Sequence, residues 1–347
     1  MSTPTSDGGS HAAGPSPGPV EVDAAILTAM DGLPNDFASF AQTYAQEIQP
    51  ALQAREADRV VAAKKARQGY FISGATGIGG GALSLFAFGM PQLLILVGLI
   101  VVGVLVYFGR DLQAIRKEAK SMMVLPIAQK FGLEFLEAPG NQPTVYEFRE
   151  ARLLPDWDRS DFEDKLTGRR GEVDFEFFEA HLEEKRTTRD SNGRTQTKWV
   201  TVFRGQCLRF DFHKPFLGET LVTRDAGIFN RFSGKRGMDR AKLEDPVFEK
   251  AFEVFTTDQV EARFLLTPDF MQRLVDIEQA FHGGKLRCAF IGGEMFVAVE
   301  GGDLFEPGSM FTPLDNPERI RELLDDFAVV FNLIDTVSRS RSRRDDA

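Results

Sequence analysis

Cysteine is nearly absent: Cys207 and Cys288 are the two thiols of a 347-residue chain. That excludes a disulfide framework and any cysteine-built zinc centre, and it suits a reducing compartment. Positive charge is in deficit as well. With 41 Lys+Arg against 51 Asp+Glu, a formal charge of −10, the chain lacks the basic surface that phosphate backbones demand, so nucleic acid is not an expected partner. His181 and His282 have no second metal-binding side chain at ligand spacing, and His11 falls in a polar tail, so no metal and no cofactor are expected. Nor does a secretory signal open the sequence. Residues 1–19 are rich in Ser, Gly and Pro, with neither a basic nor an apolar signal region, and read as a disordered tail.

The absence that says most is of charge. Between Arg67 and Arg110 no Asp, Glu, Lys or Arg occurs, a gap far longer than a buried soluble helix needs, so the stretch is expected to meet lipid. Gly89-Met90-Pro91-Gln92 divides it into a two-helix transmembrane hairpin, about 70–88 and 91–108. At about 1.5 Å per residue each arm just spans a ~30 Å hydrocarbon layer. Arg59, Lys64, Lys65 and Arg67 precede the first arm, Arg110, Arg116, Lys117 and Lys120 follow the second, and the loop has no basic residue. Both termini are therefore expected in the cytoplasm. Lys64, Lys65, Arg67, Arg110, Arg116 and Lys117 are candidates for contact with anionic lipid. Ser73-Gly74-Ala75-Thr76-Gly77-Ile78-Gly79-Gly80-Gly81 has the glycine content of a phosphate loop, but its spacing fits neither a dinucleotide loop nor a P-loop, and no strand precedes it. Gly77 and Gly81 read instead as small residues that let membrane helices approach.

Over 21–69, Ile26, Met30, Phe37, Phe40, Tyr44, Ile48 and Leu52 recur mostly at helical steps, which predicts cytoplasmic amphipathic helices broken near Pro34. Pro50 either kinks one of them or opens a new segment. A connecting helix follows over 109–133, kinked or ended by Pro126. Residues 134–337 are expected to form a cytoplasmic α+β domain, an antiparallel sheet with packed helices, before a basic Ser/Arg tail at 338–347. In its first hairpin, Val173, Phe175 and Phe177 alternate with Asp174 and Glu176, and the phase changes at Phe178, Ala180 and Leu182, which predicts a β-bulge near Phe177 and Phe178. Asn192-Gly193 supplies the turn. A second hairpin turns at Gly292-Gly293 and pairs Phe290 with Met295, Cys288 with Val297 and Leu286 with Val299. Thr267-Pro268 and Asn316-Pro317 open two helices with apolar stripes.

The segment Phe252-Glu253-Val254-Phe255-Thr256-Thr257-Asp258-Gln259-Val260-Glu261-Ala262-Arg263-Phe264-Leu265-Leu266-Thr267-Pro268 resembles the signature stretch of the bacterial family named domain of unknown function 3137. Phe203-Arg204-Gly205, Lys214-Pro215-Phe216, Leu304-Phe305-Glu306-Pro307 and the two-span hairpin resemble it too. The resemblance implies a bacterial inner-membrane protein with a cytoplasmic domain, and brings no catalytic residues with it.

Candidate chemistry lies on the polar face of the first hairpin. With the turn at Asn192-Gly193, Glu176 stands opposite Arg209, Glu172 opposite His213 and Asp174 opposite Asp211. Facing carboxylates can share a proton and a histidine beside one can act as a base, so Asp174, Asp211 and His213 are the candidate catalytic residues. The same pattern is an exposed sheet face with cross-strand ion pairs. Cys207 and His213 share a face, but at ~3.3 Å per residue they are about 20 Å apart, too far for proton transfer. Asp156, Asp158, Asp161, Glu163 and Asp164 lack the glycine and final glutamate of a calcium loop, and read as a solvated acidic turn. The expected function is a non-enzymatic, membrane-anchored binding or scaffold module that meets lipid and a protein partner or its own copies. The alternative is a membrane-bound enzyme using the polar face of the 172–213 hairpin.

Overall fold

Helices gather at the N-terminal side of the chain, and a sheet occupies its middle. The computed structural model describes residues 24–345 apart from 38, 88, 190–194, 212–215, 225–236 and 281–283. The turn at Asn192-Gly193, and also His11, His213 and His282, lie outside the described residues.

Helix α1 is Ala24–Ala29 and α2 is Phe40–Thr43. A π-helical turn, Tyr44–Ile48, leads without a break into α3, Gln49–Ala82. Pro50 therefore opens a segment, in the first turn where its missing N–H costs nothing. Helix α4, Leu93–Lys130, keeps Pro126 inside it and runs on to Lys130, so this proline neither ends the helix nor separates a connecting helix from the apolar part. Among the described residues α4 alone is long and apolar enough to cross a membrane. The end of α3 is diluted by the six glycines of 69–82, whose hydropathy is near zero. The closest approaches of α3 to α4 fall at other glycines than Gly77 and Gly81. A Cβ at Gly69 would lie 2.4 Å from the Phe108 Cβ and one at Gly80 3.0 Å from Val97, against 3.8 Å from Val101 for Gly77 and 3.9 Å from Leu94 for Gly81.

The strands are β1 Glu134–Leu136, β2 Arg159–Arg170, β3 Val173–Arg189, β4 Thr195–Asp211, β5 Thr220–Arg224, β6 Asp239–Ala241, β7 Phe252–Thr256, β8 Leu286–Ile291 and β9 Glu294–Glu300. They form one antiparallel sheet in the order β1-β2-β3-β4-β9-β8-β5-β7-β6. Short helices α5 Val145–Glu150, α6 Pro246–Ala251 and α7 Gln259–Leu265 join them, with α8 Pro268–Ala280 and the final α9 Pro317–Asp345. The second hairpin register holds as expected, with Phe290 facing Met295, Cys288 facing Val297 and Leu286 facing Val299. In the first, Asp174 faces Asp211 and Glu176 faces Arg209 as expected, but Val202 is an extra residue on β4, and nearer the turn the pairing slips by one, to Glu183 with Thr201 and Arg189 with Thr195. Gly292 and Gly293 take φ of 64° and 100°, the left-handed pair that such a two-residue turn requires.

Strand β3 carries no bulge at Phe177 and Phe178. Its change of phase has another cause: the sheet is covered on both faces. Phe175, Phe177, Leu208, Val297 and Val299 join a core with α1–α4, α8 and α9, while Phe178, Ala180, Leu182, Cys207 and Ala298 pack beneath α5 on the other side. The irregularity sits on β2, where Asp164 and Lys165 together oppose Phe178 between the pairs Glu163–Glu179 and Leu166–Phe177. The amphipathic N-terminal residues share the first core. Phe37 stacks on Phe331 of α9 at 6.1 Å and meets Phe131 edge-on at 5.2 Å.

One buried acid on α9 makes stability depend on pH. Burial pushes the Asp326 carboxyl from 3.8 up to about 7, against a hydrogen bond from the Phe305 N–H and with help from Asp325, Glu322 and Glu306. A folded-state value above the unfolded one means that folding favours the protonated form. Its contribution is therefore full below about pH 4 and is lost as pH rises towards 7. Asp326→Asn, which keeps an acceptor for Phe305, is expected to reduce the fall in melting temperature between pH 4 and 7. An unchanged pH profile would show that Asp326 ionises normally.

Candidate functional site

The expected polar face is real but locked. Glu176 is buried and accepts from Thr144 Oγ1 at 3.0 Å and from Gln142, with Lys165 Nζ at 2.7 Å and Arg209 at 3.7 Å. Burial works to raise its pKa, yet Lys165 and the hydrogen bonds from Thr144 and Gln142 outweigh it and hold the carboxyl below the usual range. Arg209 is ringed by Glu147, Glu176 and Glu294 at 3.3, 3.7 and 3.4 Å. Asp174 and Asp211 edge an open cleft of about 290 Å³ that also includes Lys165 and Thr167. Glu176 is thus a fixed anion among cations that stabilises the sheet.

The other face carries a set of residues that the sequence reading did not assemble. The β2 irregularity is a bulge, with Asp164 at φ 53°, and a bulge re-aims the side chains beside it. Here it turns consecutive acids, Glu163 and Asp164, towards the α4 side, while Lys165 reaches Glu176 on the opposite face. Of the expected solvated acidic turn, Asp156 and Asp158 precede β2 and are exposed, Asp161 and Glu163 are exposed on the strand itself, and Asp164 alone is buried, at 0% exposed. Lys120 of α4, itself buried, places Nζ 2.5 Å from Asp164 Oδ2 and 2.8 Å from Glu306 Oε1. Arg116, one turn earlier, also pairs with Glu306, and Lys117 stands 3.9 Å from Glu137. These two residues, read as candidates for lipid contact, also face acids of the sheet domain. Lys65 likewise pairs with Asp111 at 2.6 Å, Arg67 lies over the Phe311 ring and Arg110 over Tyr107, while Lys64 is exposed.

Across β2, β3 and β4 two polar rows cross this face: Asp161, His181 and Arg204, then Glu163, Glu179 and Gln206. Glu179 is 4% exposed, and its Oε1 accepts from the Leu304 N–H at 2.6 Å and Gln206 Nε2 at 3.3 Å. Gln206 Nε2 also donates to Gly302 O at 2.6 Å, and Arg204 grips Asp303 at 2.5 and 3.1 Å. These bonds pin the loop 301–307 over the rows, closing a cleft of about 170 Å³ lined by Asp161, Glu163, Glu179, His181, Arg204 and Asp303. His181 Nε2 is within 2.9 Å of Thr201 Oγ1. Burial first, then the charge of Asp164, pushes Glu179 well above the usual carboxylate range. Burial also raises Asp164, to about 7, against the pull of Lys120. Lys120 itself is raised, because Asp164 and Glu306 outweigh its own burial. The common cause is arithmetic: one ammonium serves a nest of carboxylates.

One signal for this site was present in the sequence: Glu179 continues the inward phase of Phe175 and Phe177, an acid at a core position. The signature segment 252–268 proves architectural. Asp258 caps α7 by accepting from Val260 and Glu261 N–H, and the Glu261 carboxylate holds the Leu217 and Gly218 N–H groups at 2.8 and 2.7 Å. Both cysteines are buried, and burial raises their thiol pKa values, so neither is a nucleophile.

Residues 201–339 match the family model described as "Protein of unknown function (DUF3137)". No curated protein matches the chain. Among solved structures, the mycobacterial trehalose monomycolate transport factor A, TtfA, is similar at 7% identity, covering 60% of this chain and 93% of that one with a TM-score of 0.32.

Proposed function

We propose, from the chain's own geometry, that the protein is a two-pass, membrane-anchored module; the DUF3137 family model that matches residues 201–339 carries no activity in its description. The protein's α+β domain lies in the cytoplasm of a bacterial cell, both termini are on that side, and its task is to bind a protein partner or further copies of itself rather than to catalyse. The observation that carries this is the continuity of α4. One unbroken helix runs from an apolar part with no buried share to Arg116 and Lys120, which are ion-paired into the sheet domain. A helix fixed at one end to a folded domain and sheathed in exposed apolar side chains at the other is what an anchor requires.

The second pass is supported by the end of α3. Phe71 and Ile78 are 80% and 79% exposed there, and Phe86 beyond it 89%, matching Ile95 at 72% on α4. Apolar faces of this extent are stable only when something apolar covers them, and lipid is the cover that suits two adjoining helices. The ion pair of Lys65 with Asp111 lies just beyond the uncharged stretch on both α3 and α4, and the loop 89–92 has no basic residue, which supports a cytoplasmic location for the charged side.

The buried native thiols provide a silent background for the test. Wild-type protein in intact or permeabilised cells should take up no membrane-impermeant maleimide. Gln92→Cys should label in intact cells, and Leu217→Cys, at an exposed position, only after permeabilisation. Labelling of Leu217→Cys in intact cells would overturn the topology. For the binding role, gentle detergent extraction should yield either a homo-oligomer or one stoichiometric partner; a lone monomer would overturn it.

A further inference from the structure

We propose that the acidic nest between β2, β3 and the loop 301–307 binds one hard divalent cation of the Ca²⁺ or Mg²⁺ class, with Glu163, Asp164 and Glu306 as its protein ligands and Glu179 beside them. The bulge is the first ground. It presents two consecutive acids to one face, directly across from a third, since Glu163 and Glu179 are paired in register. Like charges placed opposite one another across strands destabilise a sheet unless a cation lies between them.

The second ground is which oxygens are already used. Lys120 takes Asp164 Oδ2 and Glu306 Oε1, and Arg204 takes Asp303. Among the described residues no basic side chain forms an ion pair with Glu163 or Glu179. Three oxygens here remain buried without a hydrogen-bond partner among the described residues: Asp164 Oδ1 and Glu179 Oε2, on side chains 0% and 4% exposed, and the amide Oε1 of Gln206. An unsatisfied buried acceptor costs about 1–3 kcal/mol, and charged acceptors cost more, so the two carboxylate oxygens among these call for a ligand that supplies positive charge. Oxygens of Glu163, Asp164 and Glu306 lie within 4.8 Å of one another, the spread of atoms able to surround one ion.

The donor set selects the class of ion. Carboxylate oxygens suit hard cations, and the two buried cysteines lie elsewhere. The only imidazole lining this cleft, His181, engages Thr201 through Nε2. A cleft of about 170 Å³ also admits several waters, each occupying about 30 Å³ in the liquid, which such ions retain when protein ligands are few.

The test titrates CaCl₂, and separately MgCl₂, into chelator-stripped full-length protein in detergent by isothermal calorimetry. One saturable site is expected for at least one of the two ions, weakened at least tenfold by Glu163→Gln and by Glu306→Gln, and unchanged in Glu244→Gln, an exposed acid on a distant loop. Glu163 is exposed, so its variant keeps the proposal testable if Glu306→Gln does not fold. Absence of saturable binding by both ions, full affinity in Glu163→Gln, or equal weakening in Glu244→Gln would each overturn the site. None of these outcomes bears on the membrane topology, which the labelling experiment decides separately.

Discussion

Lys120→Met is expected to lower the unfolding free energy by about 3–5 kcal/mol, the range found when one partner of a buried ion pair is removed. The size follows from what is left behind. Asp164 is fully buried, its Oδ1 has no hydrogen-bond partner among the described residues, and Lys120 supplies the one ammonium at Oδ2. Without that ammonium, Glu163 and Glu306 face Asp164 with no cation between them, and the group must either take up a proton or open to water. The double variant Lys120→Met with Asp164→Asn should recover most of the loss, because neutral groups of similar shape replace both charges. Urea unfolding of the full chain, together with hydrogen exchange over β2, measures both. A loss below about 1 kcal/mol for the single variant would mean the pair is solvated, as surface pairs are. The consequence reaches beyond stability. Lys120 lies on α4, the same helix that carries the apolar segment, so the ion pair is also the joint that fixes the sheet domain to the anchor.

The sheet was legible where local chemistry decides it. Gly292-Gly293 announces a two-residue turn, and a turn of known length fixes register, which is why the facing of Cys288 with Val297 could be read from one dimension. The facing of Asp174 with Asp211 agrees as well, but only because the extra residue Val202 on β4 offsets a one-residue difference in register near the tip. The bulge was misplaced by one strand for a physical reason. A phase change in β3 has two causes with the same sequence pattern, an extra residue in that strand or burial of both faces. Which one applies depends on whether α5 covers the second face, a fact that no residue of β3 carries. The acidic cleft was harder still. Its parts come from α4, β2, β3, β4 and the loop 301–307, and the bond from the Leu304 N–H to Glu179 spans 125 positions. Segments quoted for the family resemblance, Phe203-Arg204-Gly205 and Leu304-Phe305-Glu306-Pro307, meet at this cleft, whereas the signature segment 252–268 builds a cap and a backbone clamp. Motif and site are thus different things here: the longest motif is scaffold, and the shorter ones frame the chemistry.

Gly205→Ala should have the second large effect, because every atom in its way is backbone. Gly205 has φ 152°, and a Cβ there would lie 2.0 Å from Val299 O and 2.9 Å from Glu300 Cα and Gly301 N. A side-chain clash can be relieved by a rotamer change; this one requires β9 to move away from β4. The pairs of Gly205 with Glu300 and of Gln206 with Val299 would part, and the hydrogen bond from the Gly301 N–H to Arg204 O would be lost. Strained backbone and overpacking each cost about 1–3 kcal/mol, so the expected loss is roughly 2–6 kcal/mol. Gly302→Ala is the control, since a Cβ there meets nothing within 4 Å, and it should melt like the wild type. The two variants separate fold from cleft, because Gln206 and Gly302 are bonded to one another where the loop 301–307 joins the rows. If Gly205→Ala folds at all, its displaced β9 should carry the loop with it and weaken the hold of Leu304 on Glu179, visible as faster exchange of the Leu304 amide. Wild-type melting in Gly205→Ala would mean that β4 and β9 are not in close contact at this position, and that the loop is held over the acidic rows by its side chains alone.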